Sequence, residues 1–163
     1  MAFSMEQQFS AAERVRAALT AAGVAARIQE FSASTRTAQE AADAIGTSVG
    51  QIVKSLVFMA GDTPVLALVS GSNRLDTERL GALSGAVIGK ADADAVRRAT
   101  GYAIGGVPPA GFPAPIATYI DRDLMQYDLV WAAAGTPRHV FPITPAQLLR
   151  LTGGTVADLK VNA

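Results

Sequence analysis

The stretch Gln-Ile-Val-Lys-Ser-Leu-Val-Phe at residues 51–58 has the pattern of an interior β-strand that carries one charge. Because strand side chains alternate between two faces, Lys54 shares one face with Ile52, Leu56 and Phe58, and the opposite face is also mainly apolar. A lysine in such a strand either extends its ammonium into solvent past the strand end or lies in a pocket, where burial lowers its pKa. The strand alone leaves both alternatives open.

The sequence that follows this strand predicts a β-hairpin. Gly-Asp-Thr-Pro at residues 61–64 forms a turn, and the continuous apolar run Val65 to Val69 is expected to pair antiparallel with residues 53–59. In such a hairpin the end of the second strand returns to the start of the first. Residues 70–74, Ser-Gly-Ser-Asn-Arg, are therefore expected to lie near Lys54.

Helix-capping signatures and hydrophobic periodicity predict the remaining elements. The predicted helix starts are Ser10, Thr37, Asp76, Asp92 and Thr144, with one further turn beginning at Ser48. Strands are predicted over residues 27–31, 51–58, 65–69, 86–88, 116–120, 129–134, 139–143 and 156–159. Helices and strands alternate irregularly, which is typical of an α+β fold with a mixed, largely antiparallel sheet flanked by helices. We expect a single domain over residues 1–163.

Composition excludes several classes of protein. Half of the 163 residues are hydrophobic and 17% are charged, as in compact globular domains, and the absence of cysteine excludes disulfides and thiolate metal sites. Lys plus Arg and Asp plus Glu both number 14, and the basic residues are scattered. A nucleic acid is therefore expected to be contacted only at one end or to be delivered by another protein. No signal peptide or membrane span is evident, so we expect a cytoplasmic protein.

Few residues have the pattern of a known catalytic or cofactor site. His139 is the single histidine, so no two-histidine zinc site exists, and we expect neither a metal nor a cofactor. In the glycine- and proline-rich loop of residues 101–112, Gly105 and Gly106 offer backbone N–H groups that a ligand can approach, and Pro108-Pro109 stiffens the loop. Two such donors beside an ammonium can hold an ester oxygen as it gains charge. The alternative is an ordinary tight connection.

Five motifs, taken together and in this order, resemble the YbaK/prolyl-tRNA-editing family, most closely its freestanding ProX-like members. They are Ser-Thr-Arg-Thr-Ala at 34–38, the strand at 51–58, Leu-Val-Ser-Gly-Ser-Asn-Arg-Leu-Asp at 68–76, Thr-Gly-Tyr-Ala-Ile-Gly-Gly-Val-Pro-Pro-Ala-Gly at 100–111 and Val-Trp-Ala-Ala-Ala-Gly-Thr-Pro-Arg at 130–138. The resemblance runs from about Phe31 to Leu159. It implies a trans-editing deacylase that hydrolyses the ester of proline tRNA mischarged with a small amino acid such as alanine or cysteine.

The resemblance also implies site residues and partners. Lys54 corresponds to the family's catalytic lysine. The expected substrate-binding residues are Phe31, Ser70, Gly105, Gly106 and Ala133. Ala133 stands where some members carry serine and Val140 where some carry aspartate, so cysteine specificity does not transfer. The implied partners are the acceptor end of a mischarged tRNA and prolyl-tRNA synthetase.

The mechanism that we hypothesise uses few side chains. Lys54 binds the carbonyl or the terminal ribose-phosphate region, Gly105 and Gly106 donate N–H groups, and water or a substrate group attacks, since no general base is evident. Editing is needed because a synthetase pocket for proline discriminates against a smaller amino acid by only ~1–3 kcal/mol per missing group. The small residues at 132–134 are candidates for the wall of a second, smaller site, which admits the wrong amino acid and hydrolyses its ester. The alternatives are a non-catalytic module that binds an aminoacyl-tRNA or a synthetase, and a structural domain with a solvated lysine.

Overall fold

A computed structural model describes residues 5–162 of the chain as helices packed on two β-sheets. The α-helices are α1 (Met5–Ala21), α2 (Ala38–Ile45), α3 (Thr77–Ser84), α4 (Ala93–Thr100) and α5 (Pro145–Thr152). The strands are β1 (Gln29–Glu30), β2 (Val53–Ala60), β3 (Thr63–Ser70), β4 (Ile88–Lys90), β5 (Ala117–Asp121), β6 (Val130–Ala133), β7 (His139–Ile143) and β8 (Thr155–Ala157). Two 3₁₀ helices cover Val49–Gln51 and Arg122–Gln126. The predicted α+β class is confirmed.

The strands form one five-stranded and one three-stranded sheet. The larger sheet has the order β4-β2-β3-β5-β8, in which β4, β2 and β3 are antiparallel neighbours, while β5 is parallel to both β3 and β8. The smaller sheet has the antiparallel order β1-β7-β6. A parallel bridge between Ile52 and Trp131 joins the two sheets. The expectation of mixed, largely antiparallel pairing is confirmed.

Strand β3 is the centre of the hydrophobic core. Leu66 and Leu68 pack into the main core beneath α1, whereas Val65, Ala67 and Val69 face a second core on the other side of the sheet. All of these side chains are buried, because layers cover both faces of the strand. A strand covered on both faces needs apolar residues at every position, which explains the unbroken apolar run in the sequence.

The predicted hairpin is confirmed, and so is the expectation that the segment after its second strand lies near Lys54. Strand β2 pairs antiparallel with β3 in a register that sets Lys54 opposite Val69 and Val53 opposite Ser70. The turn after β3, beginning at Ser70, therefore lies beside the first residues of β2. This register brings Asn73 within hydrogen-bonding distance of Lys54.

Most predicted helix starts agree with the structure. Thr37 and Thr144 form complete capping boxes, and the Asp76 and Asp92 side chains accept from the first backbone N–H groups of α3 and α4. The predicted start at Ser10 is wrong, since α1 already begins at Met5. The Met-Glu-Gln-Gln sequence before it consists of residues with high helix propensity, so the helix extends past a sequence that resembles a cap.

Most strand boundaries also differ from their predicted positions, by one or two residues. Strand β4 begins at Ile88 rather than at residue 86, because the N–H of Ala86 donates to Gly81 O at the end of α3. Strand β1 is reduced to two residues, since the N–H of Arg27 bonds locally to Ala25 O. Strand β8 begins at Thr155 and pairs with β5 at the sheet edge. Across residues 5–162 no helix has the length and apolar character needed to cross a membrane.

Candidate active site

A cavity of about 360 Å³ lies where the two sheets separate, which is within the range for small-molecule sites. Its walls come from the start of α2, the first half of β2, the loop before β5, and strands β6 and β7. Lining residues from these elements include Thr35, Arg36, Thr37, Ala41, Lys54, Ser55, Leu56, Ile104, Gly105, Val107, Trp131, Ala132, Ala133 and Val140. Most of the lining is apolar, and Arg36 and Lys54 are its charged members.

The cavity exists because one edge of β2 is only partly paired. Strand β4 pairs with residues 58–60 of β2, and the bridge from Ile52 to Trp131 holds the other end. Between these two contacts, Val53 to Leu56 line the opening instead of adding a further strand. The first half of β2 therefore presents side chains, including Lys54, at the junction of the sheets.

Lys54 lies half-buried in the cavity wall. Its Nζ donates to the backbone oxygen of Asn73 at 2.5 Å. Burial lowers the pKa of the Lys54 ammonium below its ordinary value, and the negative charge of Asp121 opposes part of that effect. Lys54 thus lies in a pocket, where a fixed acceptor holds its ammonium. Of the two alternatives that the strand left open, the structure excludes an ammonium that extends into solvent past the strand end.

A buried carboxylate holds the segment that carries this acceptor. Asp121 Oδ2 accepts from Asn73 Nδ2 at 2.8 Å and from the N–H of Ser70 at 3.0 Å, and Asp121 is 1% exposed. Asn73 Nδ2 also donates to Asp123, which Lys160 contacts at 2.8 Å. The hydrogen bonds from Lys160 and Asn73 lower the pKa of Asp123. The sequence pattern did not point to Asp121, whose only signal is a carboxylate at the end of an apolar strand.

The glycine loop forms a tight turn at the cavity. Gly106 donates its N–H to Ala103 O at 3.0 Å, and Gly105 has φ +94°, the arrangement of a type II turn with glycine at its third position. The N–H of Gly106 is therefore already bonded, which corrects the expectation of two free donors. The N–H of Gly105 has no acceptor within residues 5–162 and remains available.

The other predicted substrate-binding residues divide into two groups. Ala133 lines the cavity, as does Val140. Ser70 is fully buried and donates through Oγ to Gly50 O at 2.7 Å, so its hydroxyl braces β3 against the adjacent 3₁₀ helix. Phe31 is bonded through its N–H to Arg138 O and does not line the cavity. The structure thus brings Lys54, Gly105 and Ala133 together at the cavity, whereas Phe31, Ser70 and Gly106 do not line it.

Ser55 is a cavity residue that the sequence did not single out. Its Oγ is buried and has no hydrogen-bond partner within the described residues, although it lines the cavity next to Lys54. An unsatisfied buried hydroxyl costs about 1–3 kcal/mol. A ligand in the cavity that bonds to this hydroxyl would remove the cost.

The single histidine, His139, contacts neighbouring residues and lies outside the cavity. His139 Nδ1 lies 2.5 Å from Thr136 Oγ1, and its Nε2 lies 3.3 Å from a Glu30 carboxylate oxygen. The Glu30 contact joins β7 to β1, the Thr136 contact lies within the turn before β7, and His139 is not among the cavity-lining residues. Over the part of the chain that the structure describes, no group of three or more His, Asp or Glu side chains could hold a metal ion.

Comparison with known proteins identifies the family. The model of the aminoacyl-tRNA editing domain matches residues 32–151, which include the lysine strand, the glycine loop and the strands that line the cavity. The chain belongs to the aminoacyl-tRNA editing domain family. It is accordingly an aminoacyl-tRNA deacylase, which hydrolyses the ester of a mischarged tRNA.

Three relatives indicate where in that family the chain falls. A crystal structure of a candidate trans-editing enzyme for prolyl tRNA synthetase is 49% identical, with a TM-score of 0.89, and the match covers 99% of this chain and 100% of that one. A candidate Cys-tRNA(Pro)/Cys-tRNA(Cys) deacylase, EbsC of Enterococcus faecalis, is 30% identical over 77% of both chains. The proline–tRNA ligase of Streptococcus sanguinis is 30% identical over 67% of this chain, but over only 18% of the ligase.

Proposed function

We propose that the protein removes a small, non-cognate amino acid from mischarged proline tRNA, with alanine as the first candidate. The observation that carries the proposal is the half-buried Lys54 ammonium, fixed by Asn73 O in the wall of a largely apolar cavity. Similarity to a candidate trans-editing enzyme and to part of a proline–tRNA ligase supports proline tRNA as the carrier.

The ester to be cleaved is already reactive, so the site has to hold it and to stabilise charge on its carbonyl oxygen. In the proposal, Lys54 supplies a positive charge and Gly105 a backbone N–H to that oxygen as a water molecule attacks the carbonyl carbon and gives up a proton to a substrate group. The bond to the ribose oxygen then breaks, and that oxygen takes a proton. No carboxylate from residues 5–162 lines the cavity, which favours attack assisted by the substrate over a protein general base.

The cavity lining bears on the choice of amino acid. Trp131, Ala133 and Val140 present apolar groups, and Ala133 offers no hydroxyl to a substrate side chain. An apolar wall binds a methyl group without desolvating a polar one, whereas a serine side chain would lose hydrogen bonds to water. Alanine is therefore favoured over serine, and cysteine lies between them.

The proposal is tested by incubating the protein with proline tRNA charged with alanine, cysteine, serine or proline and measuring the free amino acid released. We expect alanine to be released fastest and proline to be retained. Lys54→Ala should lower the rate by about 10²–10³, the usual cost of removing a charge-stabilising group. Near wild-type turnover by Lys54→Ala would refute the assignment of Lys54, and binding without any release would identify a non-catalytic module.

The same assay addresses the synthetase partner. Net charge is zero, so weak affinity for tRNA alone is expected, and a protein that delivers the substrate would compensate for it. We propose prolyl-tRNA synthetase in this role. Addition of the synthetase at fixed tRNA concentration should lower the apparent KM for mischarged tRNA, and an unchanged KM would argue against a functional complex.

A further inference from the structure

Arg36 stands at the cavity in a position that its backbone fixes. It is exposed and lines the cavity, and its own N–H donates to Ser34 Oγ at 3.1 Å. The preceding residue, Thr35, is buried and bonds through its N–H and Oγ1 to Pro137 O, which ties the loop to the segment before β7. The guanidinium is therefore carried on an anchored loop.

The stem of Arg36 packs against the glycine turn. An added Cβ on Gly105 would lie 2.7 Å from Arg36 Cγ and 3.1 Å from its Nε, so the bare Cα of this glycine accommodates the arginine. The positive φ of Gly105 favours glycine, and a Cβ at this position would have to displace the Arg36 side chain. Arg36 is thus held from two sides at the edge of the cavity.

Arg36 also lacks a carboxylate partner within residues 5–162. Several other arginines are paired: Arg16 with Glu13, Arg79 with Asp76 and Asp158, and Arg122 with Asp158. Among the described residues, no ion pair or side-chain hydrogen bond engages the Arg36 guanidinium. With respect to these residues its donors are available to a ligand, in the planar arrangement that suits phosphate oxygens.

The substrate of the proposed function brings a phosphate to this position. When the aminoacyl ester lies in the cavity, the terminal nucleotide extends from the mouth, and the first phosphodiester of the chain follows directly. The Lys54 ammonium, held by Asn73 O, is assigned to the ester carbonyl in the proposed function, so the phosphate requires a second cation. Among residues 5–162, Arg36 is the other charged side chain of the cavity lining.

We propose that Arg36 binds the phosphodiester that joins the last two nucleotides of the tRNA. The inference rests on the proposed function, because it deepens the account of the same cavity. Arg36 contributes to substrate affinity and to the placement of the ester, while Lys54 acts on the ester itself. It thereby supplies a local contact to a protein whose net charge gives no long-range attraction.

The test measures binding separately from hydrolysis. The probe is an uncharged acceptor-stem minihelix that ends in CCA, bound to wild type, Arg36→Gln, Arg36→Lys and the matched control Arg150→Gln, an exposed arginine on α5 outside the cavity. We expect Arg36→Gln to weaken binding about tenfold, as for loss of a charged hydrogen bond, and Arg36→Lys to recover part of the loss. The slope of log K against log salt should become shallower by about 0.7 in Arg36→Gln.

Hydrolysis supplies the second measurement. Turnover is compared on minihelix carrying alanine and on alanyl adenosine, an ester without a phosphate, and Arg36→Gln should lose at least about fivefold more on the minihelix, mainly through KM. Equal losses on the two esters, or minihelix affinity equal to that of Arg150→Gln, would overturn the inference. If wild type released no alanine from either ester, the proposed function would fail, while the binding measurement would still decide the role of Arg36.

Discussion

Lys54 Nζ lies 2.5 Å from the backbone oxygen of Asn73, and this contact joins the lysine strand to the turn that follows its hairpin partner. The acceptor is itself fixed, because the Asn73 side chain donates to the buried carboxylate of Asp121. A backbone oxygen has no charge, so it orients the ammonium without neutralising it. The positive charge remains available for a developing oxyanion.

The first prediction concerns the protonation of Lys54. Because desolvation lowers its pKa, its ammonium should titrate below the ordinary lysine value of about 10.4. Lys160, whose pKa the hydrogen bond and charge of Asp123 raise, should titrate above it. Titration of labelled lysine side chains by NMR checks both directions. Coincident titration of Lys54 with a model lysine would indicate a solvated side chain.

This shift has a consequence for stability with a definite sign. Between the folded and unfolded pKa values of Lys54 the unfolded chain binds more protons, so the contribution of this group to folding stability rises with pH. Lys54→Met removes the titration. The free energies of unfolding of both proteins are measured with denaturant at several pH values. As pH rises toward about 10.4, the wild type should gain stability relative to Lys54→Met. A difference that is constant with pH would contradict the burial of Lys54.

A second prediction tests Asp121. Asp121→Asn replaces an acceptor that serves Ser70 and Asn73, and one unsatisfied or repelled donor should cost about 1–3 kcal/mol of unfolding free energy. Loss of the negative charge should also lower the pKa of Lys54 further, since Asp121 now raises it. Asp128→Asn makes the same change at an exposed site and should alter neither quantity. An unchanged Lys54 pKa in Asp121→Asn would show that the carboxylate acts on the fold alone.

Local patterns were sufficient to place Lys54 but insufficient to find what surrounds it. Period-two alternation and the turn at residues 61–64 set the hairpin, and the hairpin set Asn73 beside Lys54. Asp121 comes from β5, which is parallel to β3 and reached only after a long connection. No local periodicity encodes such a pairing, so its carboxylate could not be assigned from spacing.

The glycine loop shows a second limit of sequence patterns. Two adjacent glycines suggested two free N–H donors, but the turn consumes that of Gly106 through Ala103 O. The bare surface of Gly105 suggested an approach for a ligand, and Arg36 occupies the side on which a Cβ would lie. A glycine in the sequence indicates that other atoms approach its backbone closely, but only the fold determines which atoms these are.

A third prediction follows from the unpartnered hydroxyl of Ser55. Ser55→Ala removes a buried group that makes no hydrogen bond within the described chain, so the melting temperature should stay the same or rise. If the substrate bonds to this hydroxyl, kcat/KM should fall by about 3–10-fold, the value of one neutral hydrogen bond. Ser84→Ala, on α3 and bonded to Gly81 O, provides the control for loss of a hydroxyl outside the cavity. Lower stability without lower activity would assign Ser55 to the fold.

The last prediction separates the two requirements for glycine at position 105. Gly105→Ala introduces a Cβ at positive φ and sets it 2.7 Å from Arg36 Cγ, whereas Gly85→Ala introduces one at φ +77° with no atom within 4 Å. Both should lose about 1–2 kcal/mol of unfolding free energy from backbone strain. Gly105→Ala alone should displace Arg36 and raise KM for mischarged tRNA, because the guanidinium leaves its anchored position.

Combining Gly105→Ala with Arg36→Gln shows whether the rise in KM comes from the contact with Arg36. If it does, the two effects on KM are less than additive. Full additivity would mean that Gly105 influences the substrate independently of Arg36, through its own N–H.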